Sequence, residues 1–150
     1  MRQPSAIGRG GDKDPLARQL GAHEYIDTGV SAAPEALQSL GGARVILATA
    51  PDAKSMSALV DGLAPGGKLV VVGAAPEPLS ISPLQIIMSR RSIQGCPSGT
   101  AKDSEEALQF SALDGVCPMI ERYPLGKAAE AYDQMLSGRA RFRVVLTIAS

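Results

Sequence analysis

The stretch VILATAPDAKSMSALVDGLAPGGKLVVVG, residues 45–73, decides the fold class. It opens with Val45-Ile46-Leu47-Ala48 and closes with Leu69-Val70-Val71-Val72, two continuous apolar runs bounded by glycine. Runs of this kind read as strands buried on both faces. Between them Asp52 stands where an N-cap belongs, and Met56, Leu59, Val60 and Leu63 recur at helical spacing. That spacing predicts an amphipathic helix capped by Asp52 and stopped by Pro65-Gly66-Gly67. A strand, a helix and a strand with tight turns make a parallel βαβ unit.

The alternation continues on both sides. Upstream, Asp14-Pro15 opens a helix through Leu20 that Gly21 ends, and Tyr25-Ile26 follows as a short strand. Residues 33–40 make another helix, closed by Gly41-Gly42. Downstream, 83–90 reads as a short helix and Ser92-Ile93-Gln94-Gly95-Cys96 as a strand. Asp103 caps a helix carrying Phe110 and Leu113 and ended by Gly115; residues 125–137 form the last helix and 142–148 the last strand. The expected fold class is α/β, a doubly wound parallel sheet with helices on both faces.

Composition narrows the function. With 150 residues there is room for one domain and one core. Fifteen Lys and Arg balance fifteen Asp and Glu, so no basic field draws the chain to nucleic acid or anionic lipid. Aromatic residues are 3% of the chain and Trp is absent, which removes the stacking platforms that single-stranded nucleic acid needs. No apolar run approaches the ~20 residues of a membrane helix, and no signal-peptide core follows Met1, so the expected compartment is the cytoplasm. Cys96 and Cys117 form no metal-ligand spacing, and His23 is the one histidine, so no Cys/His zinc site is expected. His23 reads as an exposed residue at the entry to a strand.

Two glycine motifs fail on physical grounds. Gly8-Arg9-Gly10-Gly11-Asp12-Lys13 has Lys13 at the third glycine of a dinucleotide fingerprint, and too few residues precede it to form the strand that the motif requires. The run from Gly62 to Lys68 matches a phosphate loop until Leu69, where Ser or Thr is needed. It also leads from helix into strand, so the helix dipole points the wrong way for phosphate. What remains is a set of small residues at successive strand ends: Ala48-Thr49-Ala50, Gly73-Ala74-Ala75 and Ser98-Gly99-Thr100. Ligands of open α/β sheets bind beyond the carboxyl ends of the strands, where small residues let a flat ligand reach the backbone. Ordinary tight βα turns would look the same.

A resemblance adds to this reading. Leu16-Ala17-Arg18-Gln19-Leu20-Gly21-Ala22 with Tyr25-Ile26-Asp27, then Gly66-Gly67-Lys68-Leu69-Val70-Val71-Val72-Gly73, then Arg91-Ser92-Ile93-Gln94-Gly95, resemble segments of medium-chain zinc-type alcohol dehydrogenases in the same order. The closing Ser137-Gly138-Arg139-Ala140-Arg141-Phe142-Arg143-Val144-Val145-Leu146 fits too, and the likeness runs from about Ser5 to Ser150. It begins at the second strand of the family's nucleotide-binding domain. The family's first strand, its GxGxxG turn, its catalytic zinc domain and its four-cysteine site have no counterpart here. The resemblance therefore implies a partial dinucleotide-binding domain plus a closing segment over 1–150, a fragment inactive alone. A non-catalytic nucleotide-binding or dimerisation module is the alternative.

Carried over by position, the resemblance implies a cofactor surface without catalytic residues or metal ligands. Gly8 falls where NAD-using members place the ribose-binding Asp, followed by Arg9 and Lys13. Loss of a carboxylate and gain of two cations suits a ribose 2′-phosphate, so NADP is expected over NAD. Ala48, Thr49 and Ala50 would flank the adenosine side. Val72, Gly73 and Ala74, with Ser98, Gly99 and Thr100, would meet the nicotinamide amide, and Arg143 the pyrophosphate. Family subunits pair through the edge of this domain, which implies a homodimer through residues 79–81 and 91–96. In the strand order 3-2-1-4-5-6 the absent strand is central. The strands near Tyr25 and Val45 would then lack a common neighbour, leaving residues 1–26 poorly attached, with 142–148 completing or packing beside the remaining half-sheet.

Overall fold

Strands and helices alternate along residues 3–148, the span that the computed structural model describes. Met1, Arg2, Ala149 and Ser150 lie outside the described residues, and with them the extreme ends of the segments read above. In chain order the elements are β1 (Ser5–Gly8), α1 (Asp14–Gln19), β2 (Glu24–Asp27), α2 (Ala33–Ser39), β3 (Ala43–Ala48), α3 (Ala53–Leu59) and β4 (Leu63–Val71). Then come α4 (Pro83–Ile87), β5 (Ser92–Gly95), α5 (Ala101–Asp114), β6 (Ile120–Pro124), α6 (Ala128–Leu136) and β7 (Arg143–Thr147). The expected α/β class holds. All the strand pairings among the described residues are parallel.

Where length alone predicts one core, the chain divides into two compact units, Met1–Ser98 and Gly99–Ser150. In the first, β1 pairs with β2, and separately β3, β4 and β5 form a sheet with β4 in the middle. No ladder joins β2 to β3 among the described residues. One apolar cluster nonetheless holds Ile26 of β2 together with Ile46 of β3, Leu63 and Leu69 of β4, and Ala33 and Leu37 of α2. The expectation of a loosely attached amino-terminal segment is corrected here. Ile26 is 5% exposed and Ile7 packs on the cluster, so apolar burial holds what hydrogen bonding does not.

Three local readings are revised. Leu63 belongs to β4, not to the helix, and is fully buried. Helix α3 ends at Leu59 and tightens into a 3-10 turn over Val60–Gly62. Ala43 pairs with Leu63 but Val45 with Lys68, so residues 64–67, with Pro65-Gly66-Gly67, bulge within the strand instead of stopping a helix. The carbonyl of Leu63 is also an anchor. The Arg91 guanidinium donates to it from Nη2 at 2.9 Å and from Nε at 3.1 Å, and to Asp61 Oδ1 at 3.3 Å, tying the start of β5 to the start of β4.

In the second unit, the cap of α5 is Thr100 and not Asp103. The Thr100 hydroxyl accepts from the Asp103 N–H, and the Asp103 carboxylate accepts from the Thr100 N–H at 2.6 Å, a closed capping box. Strand β6 is unpredicted by the sequence reading. It pairs with β7, so among the described residues the final strand forms a two-stranded sheet with β6 instead of completing the ladder of β3, β4 and β5. Helix α6 connects the pair and buries Ala131.

Candidate cofactor site

At the carboxyl ends of β3, β4 and β5 the backbones are stitched closely. The Val72 and Gly73 N–H groups both donate to the Ala48 carbonyl, at 2.9 and 3.0 Å, and the Cys96 N–H donates to the Val71 carbonyl at 2.9 Å. A Cβ on Gly73 would lie 2.6 Å from the Ala50 oxygen and 2.7 Å from the Thr49 oxygen. Only glycine lets these two chain segments touch. Ala48, Thr49, Ala50, Val72 and Gly73 therefore meet at one rim, with Ala74 beside it in sequence and Ser98 just past β5. Thr49, Ala50 and Ala74 are exposed, and no bulky side chain from these positions blocks the backbone.

Gly99 and Thr100 belong to the second unit, where the Thr100 hydroxyl and N–H are both committed to Asp103. Arg143 begins β7 in that same unit and is exposed. A shallow depression of about 430 Å³ follows Ala50, lined by Pro51, Asp52, Lys54, Glu77, Pro78 and Ser80. Asp52 is spent on its cap and on Ser55, whose hydroxyl lowers its carboxyl below the ordinary value.

Gly8, Arg9 and Lys13 sit together at the carboxyl end of β1. Gly8 closes the strand, and a 3-10 turn over Gly11–Lys13 carries the chain into α1. The Lys13 ammonium donates to the Arg9 carbonyl at 2.5 Å. Neither Arg9 nor Lys13 takes part in an ion pair among the described residues. Two residues of β2 that sequence reasoning passed over hold this loop. The Tyr25 hydroxyl donates to the Gly10 carbonyl at 2.8 Å, and Asp27 Oδ1 accepts from the Gly10 and Gly29 N–H groups, both at 2.8 Å. The signal was present in Tyr25-Ile26-Asp27, where polar residues flank one buried Ile at alternate strand positions.

The same contacts set the local electrostatics. Hydrogen bonds from the Gly29 and Gly10 backbone, with the nearby charges of Lys13 and Arg9, hold Asp27 below its ordinary 3.8. Tyr25 moves the other way, raised from 10.0 by desolvation and then by Asp27, Asp12 and Asp14. The loop is thus a mixed surface, with two cations framed by carboxylates. For a zinc ion the residues do not fit. Among the described residues no group of three or more His, Cys, Asp or Glu could hold a metal, and Cys96 and Cys117 are free and exposed.

Comparison with known proteins assigns the arrangement. The zinc-binding dehydrogenase family model matches residues 3–112. The alcohol dehydrogenase patD of Penicillium expansum is 41% identical over 143 residues, covering 95% of this chain and 42% of that protein. The alcohol dehydrogenase notN of Aspergillus sp. (strain MF297-2) is 38% identical over 143 residues, with the same two coverages. The chain thus spans about 42% of the length of these curated relatives. In fold it is similar to an alcohol dehydrogenase zinc-binding domain protein from Burkholderia ambifaria, with a TM-score of 0.88 at 21% identity over 99% of this chain and 42% of that one. The chain belongs to the zinc-binding dehydrogenase family, the medium-chain alcohol dehydrogenases, and matches its carboxyl-terminal part.

Proposed function

We propose that these residues are the cofactor-side portion of an NADP(H)-dependent alcohol dehydrogenase, which moves a hydride between an alcohol or aldehyde and the nicotinamide. The observation that carries the reading is the end of β1. Gly8 has the Tyr25 hydroxyl in the space of a side chain, and Arg9 and Lys13 stand on the loop behind it without ion-pair partners among the described residues. A carboxylate there would favour a ribose with free hydroxyls, whereas two cations favour a 2′-phosphate, which Arg binds bidentately. The rim formed by Ala48, Thr49, Ala50, Val72, Gly73 and Ala74, with Ser98 just past β5, suits the flat body of a dinucleotide.

In this reading the zinc that acts as Lewis acid in the whole protein is held by residues other than those described. The partial nucleotide-binding domain and the closing segment then bind and orient without reacting. The free cysteines suit a reducing cytoplasm. The edge of β5, which pairs only with β4 among the described residues, suits pairing with a second copy, as do residues 79–81; Ile93, Leu79 and Ile81 are partly buried against the core.

Calorimetry with NADPH and NADH on the 150-residue chain and on Arg9→Ala tests the cofactor reading. NADPH should bind more tightly, and Arg9→Ala should erase the difference. NADH binding as well or better would overturn it. An alcohol-oxidation assay with and without added zinc should show no turnover, and measurable zinc-dependent oxidation would place the chemistry within these residues.

A further inference from the structure

We propose that Asp27, assisted by Tyr25, is a positioning residue that sets the cofactor preference by fixing the loop bearing Arg9 and Lys13. This rests on the reading of that loop as the 2′-phosphate site.

The loop between β1 and α1 has little to define it locally. Gly10 has a φ of +93°, and Gly10-Gly11 is a flexible pair. The turn over Gly11–Lys13 has no side-chain cap. Definition comes from β2 next door. Parallel pairing sets Gly8 opposite Asp27 and Ala6 opposite Tyr25, so the end of β2 lies alongside the start of the loop. From there Asp27 Oδ1 receives the Gly10 N–H and the Tyr25 hydroxyl donates to the Gly10 carbonyl, so both backbone polar groups of Gly10, and with them the peptide units on either side of it, are held from outside the loop. The Thr28 N–H and hydroxyl add bonds to the Gly8 carbonyl, at 2.8 and 3.2 Å. Arg9 is thus bracketed by two anchored residues, and Lys13 folds back on the Arg9 carbonyl.

The carboxylate has a second consequence. Asp27 lies within electrostatic range of Arg9 and Lys13, and Asp12 is also close to the turn, its carboxylate 2.5 Å from where a Cβ on Gly10 would lie. A bound phosphate must therefore compete with the charge of Asp27, although the oxygen of Asp27 is what shapes its site. Geometry and charge act in opposite directions. Asparagine separates them, because its amide oxygen can accept both N–H bonds while carrying no charge.

The test uses the 150-residue chain with adenosine 2′,5′-bisphosphate and adenosine 5′-monophosphate as probes, and amide exchange at Gly10 and Gly29 as a ligand-free readout. The native chain should prefer the bisphosphate about tenfold, near 1.4 kcal/mol. Asp27→Ala should lose that preference and expose the Gly10 amide to exchange. Asp27→Asn should keep the Gly10 protection and hold or increase the preference. Unchanged discrimination or unchanged Gly10 exchange in Asp27→Ala would overturn the positioning role, as would an equal weakening of both ligands. If Asp27→Ala does not fold by circular dichroism, Asp27→Asn decides, and loss of Gly10 protection there overturns the proposal. A native chain with no preference refutes the 2′-phosphate reading, and the specificity role with it. Exchange that is slow in the native chain, fast in alanine and slow in asparagine would then show separately that the loop is held by Asp27.

Discussion

The Tyr25 hydroxyl lies 2.7 Å from the point where a Cβ on Gly8 would stand, with its ring carbons Cε2 and Cζ at 3.4 Å. The glycine at the end of β1 is thus matched to an aromatic side chain on the neighbouring strand. The hydroxyl is also the group that reaches the Gly10 carbonyl. A side chain at Gly8 therefore displaces the contact that shapes the proposed phosphate loop.

That coupling can be measured. Gly8→Ala should lower the melting temperature of the native chain. The penalty should be smaller in a Tyr25→Phe background, where the methyl group meets only ring atoms at ordinary contact distance. Thermal melts of the four variants give the coupling. The same penalty in both backgrounds would show that Tyr25 does not occupy this space.

Acid should loosen both units, with a sign set by the carboxylates. Asp27 is lowered by its bonds from Gly29 and Gly10, and Asp103 by the Thr100 hydroxyl and N–H. A group whose folded value is depressed stabilises the fold above its unfolded value of about 3.9, and the contribution fades as pH falls through the folded value. Melting temperature should therefore decline below about pH 4. Asp27→Asn should flatten part of that decline while lowering the neutral-pH plateau. A decline as steep as that of the native chain would remove Asp27 from the account.

Much of this arrangement was legible in the sequence. The runs at Val45 and Val70 are strands with a helix between them, and Gly21, Gly41 and Gly115 follow helix ends. Strand β3 is not buried on both faces, however: Ile46 and Ala48 are buried while Val45 and Leu47 are exposed. Leu63 was misread because it continues the helical spacing from Val60, yet the bulge at 64–67 lets it enter β4 and fill the core. Strand β6 was missed because Pro118 and Pro124 bracket Ile120-Glu121-Arg122-Tyr123, and proline with adjacent charges reads as loop. Its alternation of exposed and half-buried residues becomes meaningful only against β7. The site was half legible. Small residues at strand ends are local signals, but the roles of Tyr25 and Asp27 depend on the register that sets them beside Gly8 and Gly10.

The edges of β2 and β3 that lack a ladder partner among the described residues should dominate the dynamics of the first unit. Among the described residues, strand β4 has a hydrogen-bonded neighbour on each side, while β2 pairs only with β1 and β3 only with β4. Amide exchange should be slowest at Val70 and Val71 and faster at Tyr25 and Ile26, even though Ile26 is buried. Equal protection at the two places would mean that β2 gains a second partner in solution.

The cofactor surface itself is tested most directly by following backbone amide shifts of the labelled chain during titration with NADPH and, separately, NADH. NADPH should shift Gly8, Arg9, Gly10 and Lys13 together with Thr49, Ala50 and Gly73, in one saturable process. NADH should move the Thr49 and Gly73 group weakly and leave the residues around Arg9 nearly still. Identical shifts around Arg9 with both nucleotides, or no shift at either place, would contradict the account.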